Sequence, residues 1–302
     1  MQHEKTEMVG SGTFERYAIG LLAIATGLAI ASVSVLGPLV LGIIRYRWSD
    51  YSIRIVMGQD LIHLLLVVPI CLIGGLLRLI GNTKSRFLLV VLGPYLIYQF
   101  LLLAIAPEWA HPDYAAQIPT SQYYFWLYIL VATGGLVIML DSLSQFRQEK
   151  TPELNRTLTT SIFIYIFAFA VILSTIWIVQ IARVLSEGNA AKPYFRSPTV
   201  FWWIRRFDLS IVIPLALASV YAFVTRKNSG GYGLLLLGTG SLLLAFPVVA
   251  GSQLYTYIVL PGASNIIEII FFLVVTLPIF PSYLYLARRL VQTPNKSLQL
   301  SP

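Results

Sequence analysis

The sequence predicts an all-α membrane protein, a polytopic bundle of about eight transmembrane helices. Two features of its composition support this fold class. Of its 302 residues, 57% are hydrophobic and only 11% are charged, whereas a soluble domain carries about 25% charged residues. The mean hydropathy of +0.76 implies more apolar surface than a soluble core of this size can bury. We therefore expect lipid to be the solvent.

The third observation is a series of eight apolar stretches. The hydrocarbon core of a bilayer requires about 20 residues of helix, and the stretches reach or approach this length. Helices are expected because backbone groups in lipid must be satisfied within their own segment. The sixth stretch is the shortest, and the first is too long for a cleavable signal peptide. The stretches lie at 17–44, 61–80, 87–106, 123–140, 160–182, 209–225, 231–250 and 265–286.

The basic residues predict the orientation of the spans. With the amino terminus inside, the inner segments hold 13 Lys and Arg residues and the outer segments hold 8. The outer segments 107–122 and 251–264 contain none. Because cytoplasmic loops carry an excess of Lys and Arg, we predict that both termini are cytoplasmic, in a prokaryotic cytoplasmic membrane. The net charge of +8 is then matched by membrane lipid, and no nucleic acid is expected.

The outer positive charge lies in two similar segments, 45–60 and 183–208. Each mixes arginine with aromatic residues and then leads through Asp-Leu into a span that contains proline. One interpretation is an interfacial segment in which arginine contacts lipid headgroups. The alternative is a vestibule for an anionic substrate. The candidate anion or headgroup contacts are Arg45, Arg47, Arg54, Arg183, Arg196, Arg205 and Arg206.

This similarity extends to an approximate internal repeat. Asp60 and Asp208 are 148 residues apart, close to half the chain. The spacing is imperfect, because Pro69 follows its aspartate by nine residues and Pro214 follows by six. Each half crosses the membrane an even number of times, so the halves would share one orientation as a tandem, parallel repeat. The predicted divisions are a cytoplasmic segment 1–16, four-helix halves 17–150 and 151–286, and a cytoplasmic tail 287–302.

Polar residues within or beside the spans are the candidates for function, because an ionisable group in the bilayer is costly. In the predicted topology they all lie toward the outer side. Each of these residue types also has a purely structural interpretation. Aspartate at a helix start can cap exposed N–H groups, glutamine can join helices, and Gly58 fits a tight turn before a helix. The candidates are Asp60, His63, Gln99, Gln180, Arg183, Asp208 and Glu268.

His63 follows Asp60 by three residues and so shares its helical face. The carboxylate could hold one ring nitrogen, and such a pair can relay protons or bind a metal. A structurally satisfied histidine is the alternative. We predict no metal site, because the single cysteine, Cys71, lies in an apolar run and the other histidines lie in exposed segments. Phosphate-loop, zinc and nucleophile-elbow motifs are absent, so no cofactor and no catalytic residue is assigned.

Three short motifs resemble a family of uncharacterised prokaryotic membrane proteins with eight predicted spans. The resemblance covers most of the chain from the first span onward. It implies eight spans, with Asp60 and Asp208 as family features at the starts of the second and sixth spans, and it implies no activity. Many members carry a hydroxylic residue at the position of His63. The motifs are Gly58-Gln59-Asp60-Leu61 through Pro69, Tyr95-Leu96-Ile97-Tyr98, and Asp208-Leu209 through Pro214.

Three functions are compatible with these features. The first is a permease-like protein with an outward-facing polar cavity between the halves and a small-molecule substrate, and the sequence favours it over an enzyme. The second is a membrane-embedded enzyme that acts on a lipid-linked or anionic substrate, with Asp60 and His63 as the acid–base pair. The third is a non-catalytic assembly subunit with a sealed bundle. The predicted cavity residues are Asp60, His63, Gln99, Asp208 and Glu268.

Overall fold

The chain forms the predicted all-α membrane bundle. The computed structural model describes residues 2–109, 111–146, 155–188, 197–226, 229–262, 264 and 266–292. Within these residues, all regular structure is helical, and eight helices are long and apolar enough to span a membrane. The protein is therefore a multi-pass integral membrane protein. The spanning parts are α1 Gly12–Leu36, α2 Asp50–Leu79, α3 Ser85–Ile105, α4 Ser121–Phe146, α5 Arg156–Glu187, α6 Pro198–Thr225, α7 Gly230–Val259 and α8 Ile266–Leu290.

All eight predicted spans contain a spanning helix, although α1 ends at Leu36 and leaves the predicted residues 37–44 outside it. Helices α2 and α6 begin about ten residues earlier than predicted. The first of these starts at Asp50, where the hydroxyl of Ser49 caps the helix by accepting from Ser52 N–H at 3.2 Å. The other starts at Pro198, a residue suited to the first helical turn. The polar and aromatic residues of these outer turns lower the local hydropathy, so the sequence alone placed the helix starts too late. The sixth span is thus a full span of 28 residues.

Asp60 and Asp208 consequently lie inside helices and not at their starts. Each is ten residues beyond the first residue of its helix, which is about 15 Å along the axis at 1.5 Å per residue. Backbone N–H groups at this depth already have helical partners, so the interpretation of these aspartates as helix caps is wrong. Arg54, Arg205 and Arg206 likewise lie within helices and not in outer loops.

A π-helical turn interrupts both α2 and α6 just before a proline. The turns cover His63–Val67 and Asp208–Val212, and a proline stands two residues after the end of each, at Pro69 and Pro214. Proline has no N–H group to continue the α-helical bonding. Single π turns are rare and frequently lie at functional sites. Both turns begin at or just after a candidate aspartate.

The third and seventh helices form the centre of the bundle. Of the most apolar 18-residue stretch of each span, 61% of the residues are buried in α3 and 67% in α7, against 50% or less in the other six spans. The seventh helix contacts α2, α3, α4, α6 and α8. Gly58 allows one of these contacts, because a methyl carbon added there would lie 2.6 Å from Ser252 Cα. Gly58 therefore serves close helix packing and not the tight turn that was predicted.

At one end of the bundle α1, α3, α5 and α7 finish, and we call this the outer end in keeping with the predicted orientation. Residues 37–49 fold back over the first four helices there. The Trp48 indole donates to Ala106 O at 2.8 Å, and the Thr120 hydroxyl donates to Ile43 O at 2.5 Å. Tyr46 stacks on Trp48 with ring centroids 4.7 Å apart. The outer end of the first half is therefore covered by protein.

Candidate functional site

Asp60 lies in the packed interior of the first half, where it is 1% exposed. Its Oδ1 atom accepts a hydrogen bond from Ser34 Oγ of α1 at 3.0 Å. The same oxygen lies 3.8 Å from His63 Nδ1, which is too long for a hydrogen bond. An ionisable group buried at this depth is costly and usually functional. Asp60 is the best-buried carboxylate that the sequence singled out.

His63 opens the π turn of α2 and is also 1% exposed. Its Nε2 atom and the hydroxyl of Tyr95 on α3 are 2.6 Å apart, and either atom can be the donor. The imidazole ring stacks against Phe100 with centroids 5.7 Å apart. The histidine thus bridges Asp60 and the central helix α3. We call Ser34, Asp60, His63 and Tyr95 the Asp60 centre.

Tyr46 and Tyr128 cover the Asp60 centre from the outer end. Their hydroxyls share a hydrogen bond of 2.8 Å. Burial raises the pKa of Tyr46 well above its usual range, and the neighbouring Tyr128 and Asp60 raise it further. Tyr46 therefore stays a neutral phenol at physiological pH. It also lines a pocket of about 340 Å³ at the outer end, which Arg45 and Gln117 share.

A separate cavity of about 140 Å³, mostly apolar in its lining but bordered by three glutamines, lies between α2, α3, α6 and α7, and we call it the glutamine cavity. Gln59 and Gln99 face each other across it, with the amide of Gln99 donating to Gln59 Oε1 at 2.8 Å. Gln253 of α7 reaches the hydroxyl of Tyr51 at 3.5 Å. The lining residues in the described part of the chain carry amide, hydroxyl, indole and apolar groups and no charged group. The cavity lies where helices of the two predicted halves meet.

Asp208 forms a second polar centre, on α6. Its Oδ2 atom accepts from the indole N–H of Trp177 at 2.9 Å, and Tyr98 of α3 lies nearby. Arg205, three residues earlier on the same face, adds a positive charge. The Arg205 guanidinium lies over the rings of Phe201 and Trp177, at 3.7 and 4.4 Å from their centroids, and bonds to Gln180. Asp208 therefore has an indole donor and a nearby cation.

The structure distributes the five predicted cavity residues over four places. Gln99 lines the glutamine cavity, and Asp60 with His63 lies in the separate centre beside α1. Asp208 lies with Arg205 on α6, whereas Glu268 is exposed on α8. Helix α3 contributes a residue to three of these places: Tyr95 contacts His63, Tyr98 lies near Asp208, and Gln99 lines the cavity. The participation of all five in one solute path stays a prediction.

The predicted arginine contacts also separate. Arg45 borders the outer pocket, and Arg47 donates to His111 O at 3.2 Å. Arg183 pairs with Glu187 at 2.9 Å on an exposed surface. The remaining described arginines each contact a neighbour on their own helix: Arg54 contacts Met57 Sδ, Arg205 contacts Phe201 and Arg206 contacts Trp203. Arg205 also reaches α5, as described above. Arg196 lies outside the described residues.

Sequence reasoning missed two buried carboxylates. Glu108, which is 1% exposed, lies in a segment taken for an outer loop, and it accepts from both the N–H and the hydroxyl of Thr199 on α6, at 2.9 and 2.6 Å. Asp141 lies one residue beyond the predicted end of the fourth span and pairs with Arg78 of α2 at 2.8 Å. Extending each span to the nearest charged residue would have found Asp141. No sequence signal distinguished Glu108.

Comparison of the chain with protein-family models, with curated proteins and with solved structures finds no match. The resemblance to a family of eight-span membrane proteins therefore stays a prediction. In the described part of the chain, no three His, Cys, Asp or Glu side chains gather as metal ligands. The arrangement places three amide groups at the glutamine cavity and one incompletely bonded acid, Asp60, in a separate centre beside α1.

Proposed function

We propose that this protein is a permease-like membrane transporter and that its solute path begins at the glutamine cavity between α2, α3, α6 and α7. One observation carries the proposal: three glutamine side chains, Gln59, Gln99 and Gln253, border one cavity where α2, α3, α6 and α7 meet. Its volume of about 140 Å³ holds several water molecules. Polar groups that face a cavity inside a membrane bundle often mark a substrate path.

The lining favours a small, uncharged polar solute. Each glutamine amide offers two N–H donors and a carbonyl acceptor, so Gln59, Gln99 and Gln253 can bind hydroxyl or amide groups in either direction. The arginines that the sequence suggested for an anionic substrate do not line this cavity. An anion would leave its charge uncompensated there, at a high desolvation cost.

Cysteine accessibility tests the solute path without knowledge of the substrate. In a Cys71→Ala background, Gln99→Cys and Gln253→Cys are treated with a charged, membrane-impermeant thiol reagent from each side of sealed vesicles. Thiols react as thiolates, which require water. We expect reaction from both sides, because a transporter opens its site alternately to each. The matched control is Ile211→Cys on α6, whose side chain is 43% exposed on the apolar surface and should stay unreactive in lipid.

A sealed bundle gives the opposite result. If Gln99→Cys and Gln253→Cys react from neither side, or from one side only, the protein has no transport path through this cavity. Uptake by proteoliposomes from a panel of small neutral polar solutes then identifies the substrate class. Gln99→Ala should reduce that uptake at least tenfold if the amide contributes one hydrogen bond that the solute cannot replace.

A further inference from the structure

Two buried polar atoms of the Asp60 centre have no hydrogen-bond partner within the described part of the chain. They are Asp60 Oδ2 and His63 Nδ1, and both residues are 1% exposed. A buried carboxylate ordinarily has several donors or a paired cation. Asp60 has one side-chain donor, the hydroxyl of Ser34. The charged form of Asp60 is therefore poorly supported by its surroundings.

Asp60 Oδ2 faces the carbonyl end of α1. A methyl carbon built on Gly37 would lie 2.9 Å from Asp60 Oδ2, 2.8 Å from Val33 O and 3.5 Å from Ser34 O, so the three oxygens border one small space. The Ser34 carbonyl lacks its usual helical donor, because Pro38 stands four residues later and has no N–H. The end of the helix also carries a partial negative charge. A carboxylate is repelled there, whereas a protonated carboxyl can donate its O–H to a carbonyl oxygen.

The titratable groups around Asp60 supply no fixed positive charge. His63 is on the same helix, Tyr95 is on α3, Tyr128 is on α4, and Tyr46 comes from the segment that covers the outer end. The tyrosines are neutral phenols. The 3.8 Å separation of His63 Nδ1 from Asp60 Oδ1 shows that no hydrogen-bonded imidazolium–carboxylate pair has formed.

Asp208 shows what a supported carboxylate looks like in this same protein. Its carboxylate accepts from the indole of Trp177 at 2.9 Å and has the positive charge of Arg205 three residues away. Asp60 lies at the same distance from its helix start and has one donor, the Ser34 hydroxyl, with His63 Nδ1 3.8 Å away. Asp60 therefore lacks a fixed positive charge like that of Arg205.

We propose that Asp60 is the residue on which the protein carries a coupling proton, held on Oδ2 and donated to a carbonyl oxygen at the end of α1. Release passes this proton to water and leaves a carboxylate, which the Ser34 hydroxyl supports and which His63 can reach by moving roughly 1 Å. A hard metal cation fits less well, because it requires several oxygen ligands and the His63 ring occupies one side of the centre. The outer pocket, which Tyr46 lines, is the nearest source of water.

Infrared difference spectroscopy of the reconstituted full chain, stepped from acidic to alkaline pH in H₂O and D₂O, tests this proposal. The expected signal is a carboxyl C=O band that shifts in D₂O, disappears as the pH rises and is lost in Asp60→Asn. Asp208→Asn is the matched control and should keep the band. Ser34→Ala should move the band to higher frequency, because the C=O oxygen loses its hydrogen bond.

Three results would overturn the proposal: a band that persists in Asp60→Asn, the absence of any such band from the wild type at every pH, or a band that Na⁺ removes at fixed pH. The role of the proton in coupling rests on the proposed transport function, but protonation itself does not. If Gln99→Cys and Gln253→Cys are unreactive while the Asp60 band titrates, the transport function fails and the proton site stands. Reactive cysteines without the band give the reverse conclusion.

Discussion

Gly58 and Gly12 are both helical glycines, yet a methyl group added at each would meet different surroundings. At Gly58 the new carbon would lie 2.6 Å from Ser252 Cα and 2.9 Å from Tyr255 Cβ, whereas at Gly12 nothing lies within 4 Å. Backbone atoms of α7 cannot move aside cheaply, so Gly58→Ala should destabilise the protein by about 1–3 kcal/mol. Gly12→Ala should be neutral or slightly stabilising, since alanine favours helix.

Thermal unfolding in detergent measures both variants. A lower unfolding temperature for Gly58→Ala with an unchanged or higher one for Gly12→Ala is the expected pair of results. Equal unfolding temperatures for the two variants would contradict the close approach of α2 and α7 at Gly58.

At the residue scale the sequence identified Asp60 and His63 as candidates, but not their neighbours, and it missed Glu108 and Asp141. Asp60 and His63 stand out in any apolar run because their charge is costly there. Tyr46, Tyr95 and Tyr128 do not, since a tyrosine in a span is as typical of an interfacial anchor as of a hydrogen-bond partner. Their hydroxyls acquire a role only when three helices and a covering segment place them together.

At the element scale, Glu108 joins the segment after α3 to the start of α6. Its carboxylate accepts from Thr199 N, Thr199 Oγ1 and Val200 N, the last at 3.4 Å, and so caps a helix that it does not belong to. Glu108→Ala should lower stability by about 1–2 kcal/mol through loss of this cap. Glu108→Gln keeps an acceptor oxygen and should lose less. Thermal unfolding of the three proteins checks this order, and equal unfolding temperatures would contradict it.

Hydropathy predicted the eight spans correctly, but it misplaced the starts of α2 and α6. Lipid selects for length and apolarity, and both are visible in the sequence. The first turns of α2 and α6 are held by other interactions, namely the Ser49 cap and the Glu108 contact from a distant segment. The Glu108 contact crosses the chain and leaves no local pattern, whereas the Ser49 cap is local and its helix start was hidden by the low hydropathy of the outer turn.

At the scale of the whole molecule, the helices favour a repeat of 145 residues over the 148 that separate Asp60 from Asp208. A shift of 145 aligns the two π turns, the prolines that follow them, and the starts of α3 with α7 and of α4 with α8. It also aligns Ser52 with Ser197, whose hydroxyls are 2.8 Å apart. In this register Asp208 corresponds to His63 and Arg205 to Asp60. In the first half the acid, Asp60, would then precede the base, His63, whereas in the second half the base, Arg205, precedes the acid, Asp208. Because the two aspartates do not correspond in this register, Pro69 and Pro214 follow them at different distances.

A parallel repeat of two four-helix halves predicts the same side of the membrane for both termini and for the connection between the halves. Green fluorescent protein folds to a fluorescent form only in the cytoplasm, so fusions after residue 150 and after residue 302 should both fluoresce. Alkaline phosphatase is active only outside, so fusions after residue 118 and after residue 262 should be active there, where the basic-free loops lie. If the fusions after residues 150 and 302 report opposite sides, one half has an odd number of crossings, and a parallel duplication is impossible because its two copies must be inserted alike.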